Sequence, residues 1–436
     1  MGLYNDASLI VYPSGYKAGK IYSQKPTDGS GDLTFTRAST ATRVNESGLV
    51  ESVASGVPRI DYTGGGCGKF KFEPQRTNLV IFSEDFTDAV WRNTRSATLV
   101  TTAADYSPDG NLTGNKFEQT LTSDRRALWQ DSSITANVPH TLSVFLKQGT
   151  AGTNMFRITI AENGNQSNWT SVQVNLNDNS LIVGDGSTNT FTNISSSISD
   201  FSYNGYYLLQ LTATHPTATS LRSLFSICDA TDFTISPTDS YSRPDYLGTG
   251  DFVYVWGAQL EQSSYPTSYI PTAGATATRL ADASTTTDLS SVIGQTEGVL
   301  YAKIASFINT SPINYPINIS DGSIDNQIAM WYGTNLNEFK TLIRQSGNKL
   351  FHTTTLTDAT EFIKVAVLYK SGGSKVYING SLITSNTNSF AFTNTLSVLD
   401  FYGLGLGNKD FNGKLQELML FPAALTDLQL EELTTL

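Results

Sequence analysis

Cysteine, histidine and charge are all scarce in this sequence of 436 residues, and each shortage closes off a class of protein. Two cysteines occur, Cys67 and Cys228, far apart and in no Cys-x-x-Cys pair. They read as free thiols, without a disulfide framework or a zinc site. His140, His215 and His352 stand in separate strand or turn contexts, and no Gly-x-Ser-x-Gly elbow offers a nucleophile for them to activate. Charged residues make up 15%, with 39 acidic against 28 basic, a formal charge of −11. No positive stripe is present, so nucleic acid is not an expected partner. Apolar runs stay short of the ~18 residues that cross a bilayer. The first residues lack the charged and apolar regions of a secretory signal, and Asp6 stands where a myristoylation motif has Ser or Thr. The expectation is a soluble chain made in a cytoplasm, with no membrane insertion.

What the sequence has instead is Ser, Thr, Asn and Gly, beside 11% aromatic residues. Ser, Thr and Asn compete with the helix backbone for hydrogen bonds, so this composition favours strands and turns, and the aromatics argue against disorder. Alternation of period two recurs along the chain. Thr141–Lys147 puts Leu142, Val144 and Leu146 on one face, and Ser171–Leu176 alternates strictly into the turn Asn177-Asp178-Asn179. Such spacing predicts all-β sandwiches rather than βαβ units. The exception is a short helix expected over Leu425–Leu436.

Composition divides the chain into an N-terminal segment 1–78 with little periodicity, a strand-rich block 79–272, a connector 273–297 without strand signal, and a second strand-rich block 298–436. Strand Phe252–Leu260 is apolar on both sides, with Phe252, Tyr254, Trp256, Ala258 and Leu260 on one face and Val253, Val255 and Gln259 on the other. It is expected inside a sandwich. Pro266 and Pro271 cannot donate ladder hydrogen bonds, so the chain turns away there and a domain ends. The connector is expected to be open to proteases.

Glu73-Pro74-Gln75-Arg76-Thr77-Asn78-Leu79, then Ser83-Glu84-Asp85-Phe86 and Trp91, followed far downstream by Gly257-Ala258-Gln259-Leu260-Glu261 and Thr267-Ser268-Tyr269-Ile270-Pro271-Thr272, resembles a module of bacteriophage structural proteins. The module is similar to carbohydrate-binding jelly rolls. Residues 14–51 with Pro58-Arg59-Ile60-Asp61-Tyr62 look like the leader of phage head or tail fibre proteins. The hairpin 362–382, with Gly372-Gly373 and Asn379-Gly380, and the closing stretch 411–433 resemble a laminin-G/concanavalin-A-like domain. The resemblance implies a virion fibre or decoration protein, assembled through residues 1–78 onto other virion proteins, homotrimeric, and presenting domains to a host glycan or receptor. A purely architectural role and a polysaccharide depolymerase are the alternatives.

No enzyme is expected, because the acids Glu84, Asp85, Asp88 and Glu417 form no pair along one strand. Asp321–Asn326 lacks the glycine and terminal Glu of a calcium loop and reads as a turn. By analogy with carbohydrate-binding jelly rolls, Glu84 and Asp251 are the candidates for a structural calcium, and no other cofactor is implied. Sugar binding uses flat aromatics beside polar groups. Trp129 and Trp169, flanked by Gln130-Asp131 and by Asn168 and Thr170, are candidates, as are Trp331 and Tyr332. Core packing is the alternative for each. Trp91 and Trp256 lie in the matched motifs and read as core.

Overall fold

Alternation turns into two face-to-face sheets in the middle of the chain. The computed structural model describes residues 2–93, 98–149, 155–201, 203–229, 240–310, 317–402 and 411–435. One six-stranded sheet runs Arg92–Asn93, Leu128–Ser133, Ser220–Ile227, Met155–Glu162, Trp169–Asn175 and Ser180–Asp185. Its partner runs Thr98–Asp105, Gly114–Gln119, Phe252–Glu261, Pro139–Gln148, Tyr206–Thr214 and Thr192–Asp200. Neighbouring strands are antiparallel, and the two inner faces close over Phe117, Val144, Phe156, Ile158, Leu211 and Val255. The predicted turn forms, with Asn175 opposite Ser180 and Asn179 at φ 58°.

Strand Phe252–Glu261 is covered on both sides, but its faces differ from simple alternation. Gly257 takes φ 65°, and the register against Pro139–Gln148 shifts between Ser143 and Phe145. This bulge sets two residues against one and flips the rest of the strand. Val253, Val255, Ala258 and Leu260 therefore share the inner core. Trp256 turns outward onto Phe145, Tyr206, Tyr269 and Val50. A Cβ on Gly257 would meet the Phe145 ring at 3.0 Å, so packing and backbone both call for glycine here.

The C-terminal sandwich is built from both ends of the chain. Its first sheet runs Ser381–Asn386, Ser374–Ile378, Ile363–Lys370, Glu297–Ala305, Gly413–Phe421, Lys69–Phe72 and Ile60–Asp61. Leu9–Val11 also pairs with Gly413–Phe421, setting Leu9 against Leu420 and Val11 against Leu418. The facing sheet runs Thr285–Thr286, Val398–Asp400, Ile317–Ser320, Asn326–Tyr332, Glu338–Gln345 and Asn348–Thr355. Asn379 and Gly380, at φ 49° and 78°, make the predicted tight turn. Thr426 caps the helix Asp427–Thr434 in a reciprocal box with Gln429.

Two expectations change here. The N-terminal segment 1–78, set apart as a piece with little periodicity, is folded into the rest of this chain. Leu9, Val11, Phe70 and Phe72 are almost fully buried in the C-terminal core, and Phe72 stacks on Phe401 at 4.9 Å. Nor does the stretch 273–297 hang free as an open connector. Ala277–Arg279 pairs with Arg76–Asn78, Thr36 and Ala283 exchange backbone hydrogen bonds, and Leu289, Val292 and Ile293 enter the core. It shows no period because each short piece meets a different partner.

Candidate binding cleft at the joint

Residues of the N-terminal segment, the start of the middle block and the stretch 273–297 meet in a buried knot of charge. Arg37, Arg59, Glu73, Arg279 and Asp282 are each 2% exposed or less. Arg37 reaches Asp282 at 2.9 Å, Arg59 reaches Glu73 at 2.7 Å and also binds Asp282, and Arg279 reaches Glu73 at 2.9 Å. Other guanidinium donors go to the carbonyls of Ser39, Ala54, Thr42 and Pro74, while Arg59 Nε and Arg279 Nε have no hydrogen-bond partner among the described residues. Burial opposes every charge here, yet Asp282 and Glu73 keep Arg59 protonated, and Arg279 and Arg59 hold Glu73 far below the usual carboxylate range. Beside the knot, Asn78 donates to Ala258 O and Ile270 O and accepts from the backbone N–H groups of Val80 and Leu260. One amide thus joins both ends of the middle block.

Next to this joint a cleft of about 250 Å³ opens between the N-terminal strands and both sandwiches. The alternation Lys69-Phe70-Lys71-Phe72 creates its floor. The phenylalanines enter the core and the lysines take the other face. Lys71 lies directly opposite Lys414, and Lys69 opposite Asp61. Three ammonium groups therefore share one sheet face with one carboxylate. Lys71 pairs with Asp61 at 2.7 Å, and Lys69 donates to the carbonyl of Thr63. Lys414 has a distant contact with Thr360 O at 3.5 Å. Burial first, then Lys69 and Lys71, pull the Lys414 ammonium down to about 8. Opposite this floor stand Pro266, Thr267, Ser268 and Tyr269, with Phe201 and Phe307 half-buried at the sides. The proline-rich stretch that ends the middle block is also the wall of this cleft.

The sequence-predicted aromatics lie elsewhere. Trp129 is half-buried, with the guanidiniums of Arg222 and Arg92 at 3.5 and 4.5 Å from its ring centre. Trp169, 3% exposed, packs with Trp129, Ala161, Leu224 and Tyr241 on the outer face of its sheet. Trp331 and Tyr332, 3% and 4% exposed, point to opposite faces of one strand. The Tyr332 hydroxyl donates to Ile304 O. Trp169 and Trp129 are brought together, but Trp169, Trp331 and Tyr332 offer no open ring face. Polar sequence neighbours did not mean exposure, because neighbouring strands and side chains cover these rings.

Glu84 and Asp251 do not fit one ion. Glu84 O accepts from the Asn115 side chain and Asp251 O from Gln119 N, at opposite ends of one strand. At 3.2–3.4 Å per residue, that places them ~13 Å apart, whereas calcium binds oxygens at about 2.3–2.6 Å. The Glu84 carboxylate accepts from the Tyr269 hydroxyl instead. Among the described residues, no group of three or more His, Cys, Asp or Glu is placed to hold a metal.

The cleft lysines were absent from the sequence candidates. The signal was the Lys-Phe-Lys-Phe repeat, but Lys414 joins it only through a strand pairing across more than 300 positions.

His140 yields a pH prediction. It is fully buried, donates from Nδ1 to Val138 O, and burial lowers it to about 4. The unfolded group titrates near 6.5, so between pH 6.5 and 4 the unfolded chain binds the extra proton. Stability then falls with pH by up to about 3 kcal/mol. His215 is also lowered by burial and adds to the slope. In urea titrations across this window, His140→Leu will be less acid-sensitive than the parent; equal slopes would refute the assignment.

Residues 304–431 match the concanavalin A-like lectin/glucanases superfamily. No curated protein matches the chain. Among solved structures, the Ruminococcus gnavus sialidase carbohydrate-binding module bound to α2,3-sialyllactose is 16% identical, with a TM-score of 0.29, covering 34% of this chain and 91% of its own. Domain 4 of a Geobacillus stearothermophilus arabinanase, in complex with arabinotriose, is 19% identical, with a TM-score of 0.28 and coverage of 37% and 77%. Mouse laminin α1 domains LG4-5 are 9% identical, with a TM-score of 0.23 and coverage of 78% and 94%. Scores this low carry no argument about what the chain binds. Residues 304–431 are a concanavalin A-like sandwich, completed by strands from the other end of a nearly all-β chain.

Proposed function

We propose that the chain is a non-catalytic fibre or decoration protein of a bacteriophage virion, trimeric, that holds glycan-binding sandwiches at the particle surface. The observation that carries this reading is the charged joint. Arg37 and Arg59 of the leader, Glu73 of the module's opening, and Arg279 and Asp282 interlock there, tying leader and sandwiches together. A particle-surface component needs such fixed geometry more than it needs moving parts. The acids weighed for catalysis have structural partners: Glu417 accepts from the Tyr301 hydroxyl at 2.6 Å, and Glu84 from Tyr269.

The burial of Trp169, Trp331 and Tyr332 favours a second reading, in which the sandwiches serve architecture alone. Two measurements separate these. Mass spectrometry of gradient-purified particles will find the chain at a fixed copy number divisible by three; its recovery only outside particles would end the virion reading. A glycan array probed with the full chain will give saturable binding, and a blank array would leave the architectural reading. No sugar should be released from bound polysaccharide.

A further inference from the structure

We propose that the cleft at the joint binds the carboxylate of a single acidic sugar unit on Lys69, Lys71 and Lys414. The choice of a sugar rests on the glycan-binding reading above; the choice of an anion rests on the cleft itself. An ammonium carries three donors, and like charges directly opposite on a sheet are destabilising. In the pair Lys71–Lys414, with Lys69 beside it, the one carboxylate on that face, Asp61, is taken by Lys71, which leaves Lys69 with Thr63 O and Lys414 over the Phe307 and Phe362 rings and without an acid of its own. In a chain of formal charge −11, three lysines against Asp61 on one sheet face stand out, with Glu73 and Asp200 the other acids that line the cleft. A carboxylate between Lys414 and Lys69 would supply the missing charge through hydrogen bonds stronger than neutral ones.

The other walls match the rest of such a ligand. Phe201 and Phe307 offer apolar surface for a ring face, while the Thr42, Thr267 and Ser268 hydroxyls of the lining are held by Tyr269 O, Glu261 and Glu73. At about 250 Å³ the space lies below the ~300–1,000 Å³ of drug-sized sites. It suits one charged ring rather than an oligosaccharide lying along a groove.

The test is calorimetric titration of the full chain with glucuronate, glucose and inorganic phosphate, on the parent, Lys414→Met and Lys69→Met. Glucuronate should bind the parent, glucose should not, and each variant should weaken glucuronate at least tenfold. Melting temperatures without ligand should stay level or rise in Lys414→Met, which shows that the lost binding is not lost folding. Absence of glucuronate binding, or binding unchanged in both variants, overturns the proposal. So does phosphate binding without glucuronate, which would mark an anion site of another kind. Array binding by the parent without any glucuronate binding to it would leave the glycan-binding reading intact and remove this cleft from it.

Discussion

A chain shortened to begin at residue 79 will lose its C-terminal sandwich. Leu9, Val11, Leu33, Phe35, Phe70 and Phe72 all lie in that sandwich's core at 2% exposure or less. At about 1.5–3 kcal/mol for each buried side chain, their removal takes away about 9–18 kcal/mol. That is as much as the 5–15 kcal/mol by which a whole domain is usually stable. The deletion also bares the long edge of Gly413–Phe421, which Leu9–Val11 and Lys69–Phe72 now pair, and an open apolar edge invites aggregation. Calorimetry of any soluble product should show the melting of the middle sandwich alone, with residues 298–436 quickly digested. A truncated chain that kept both transitions would refute this. Residues 298–436, set apart in the sequence as their own strand-rich block, therefore do not form a unit without residues 1–78.

Replacing Arg59 by methionine will destabilise the folded chain by about 3–5 kcal/mol, the cost of removing one partner from a buried ion pair. Arg59 faces two carboxylates, Glu73 and Asp282, and neither is replaced by water at 0–3% side-chain exposure. Lysine will not rescue, since a point ammonium cannot span both acids as the planar guanidinium does. The loss should depend on pH. Glu73 is depressed in the fold, so its contribution is present above the unfolded value near 4.3 and fades as pH falls below it. Guanidinium midpoints of parent and variant should therefore differ widely at pH 7 and converge towards pH 3. A variant as stable as the parent at pH 7 would show that the knot contributes nothing net.

Legibility in the sequence followed the length of the elements. Long strands announced themselves, as Pro139–Gln148 and Trp169–Asn175 did, because eight or so alternating residues leave one unambiguous face. The turns at Asn179 and at Asn379-Gly380 were readable because few residues take positive φ. The N-terminal strands of two to four residues were too short to show a period, so their pairing with the far end could not be read. Gly257 looked like any glycine until its bulge swapped the faces of the residues after it. Trp169 and Trp331 show the limit of composition, since polar neighbours in sequence say nothing about the strands that cover a ring. The charged knot was half visible: Arg37, Arg59 and Glu73 lie in the quoted motifs without stated roles, whereas Arg279 and Asp282 lie in the connector that showed no signal.

The pairing of the first strand with the last has a consequence in time. Ser8 and Leu420 are hydrogen-bonded across 412 positions. At ~5–20 residues per second, a ribosome needs about 20–80 s to deliver the second after the first. The middle sandwich, whose strands all lie within residues 92–261, can close while synthesis continues. The apolar strand Leu9–Val11 must wait beside it, unpaired, until the final strand is released. The yield of folded chain is therefore set by how well those few residues are shielded during synthesis, more than by the depth of the finished fold.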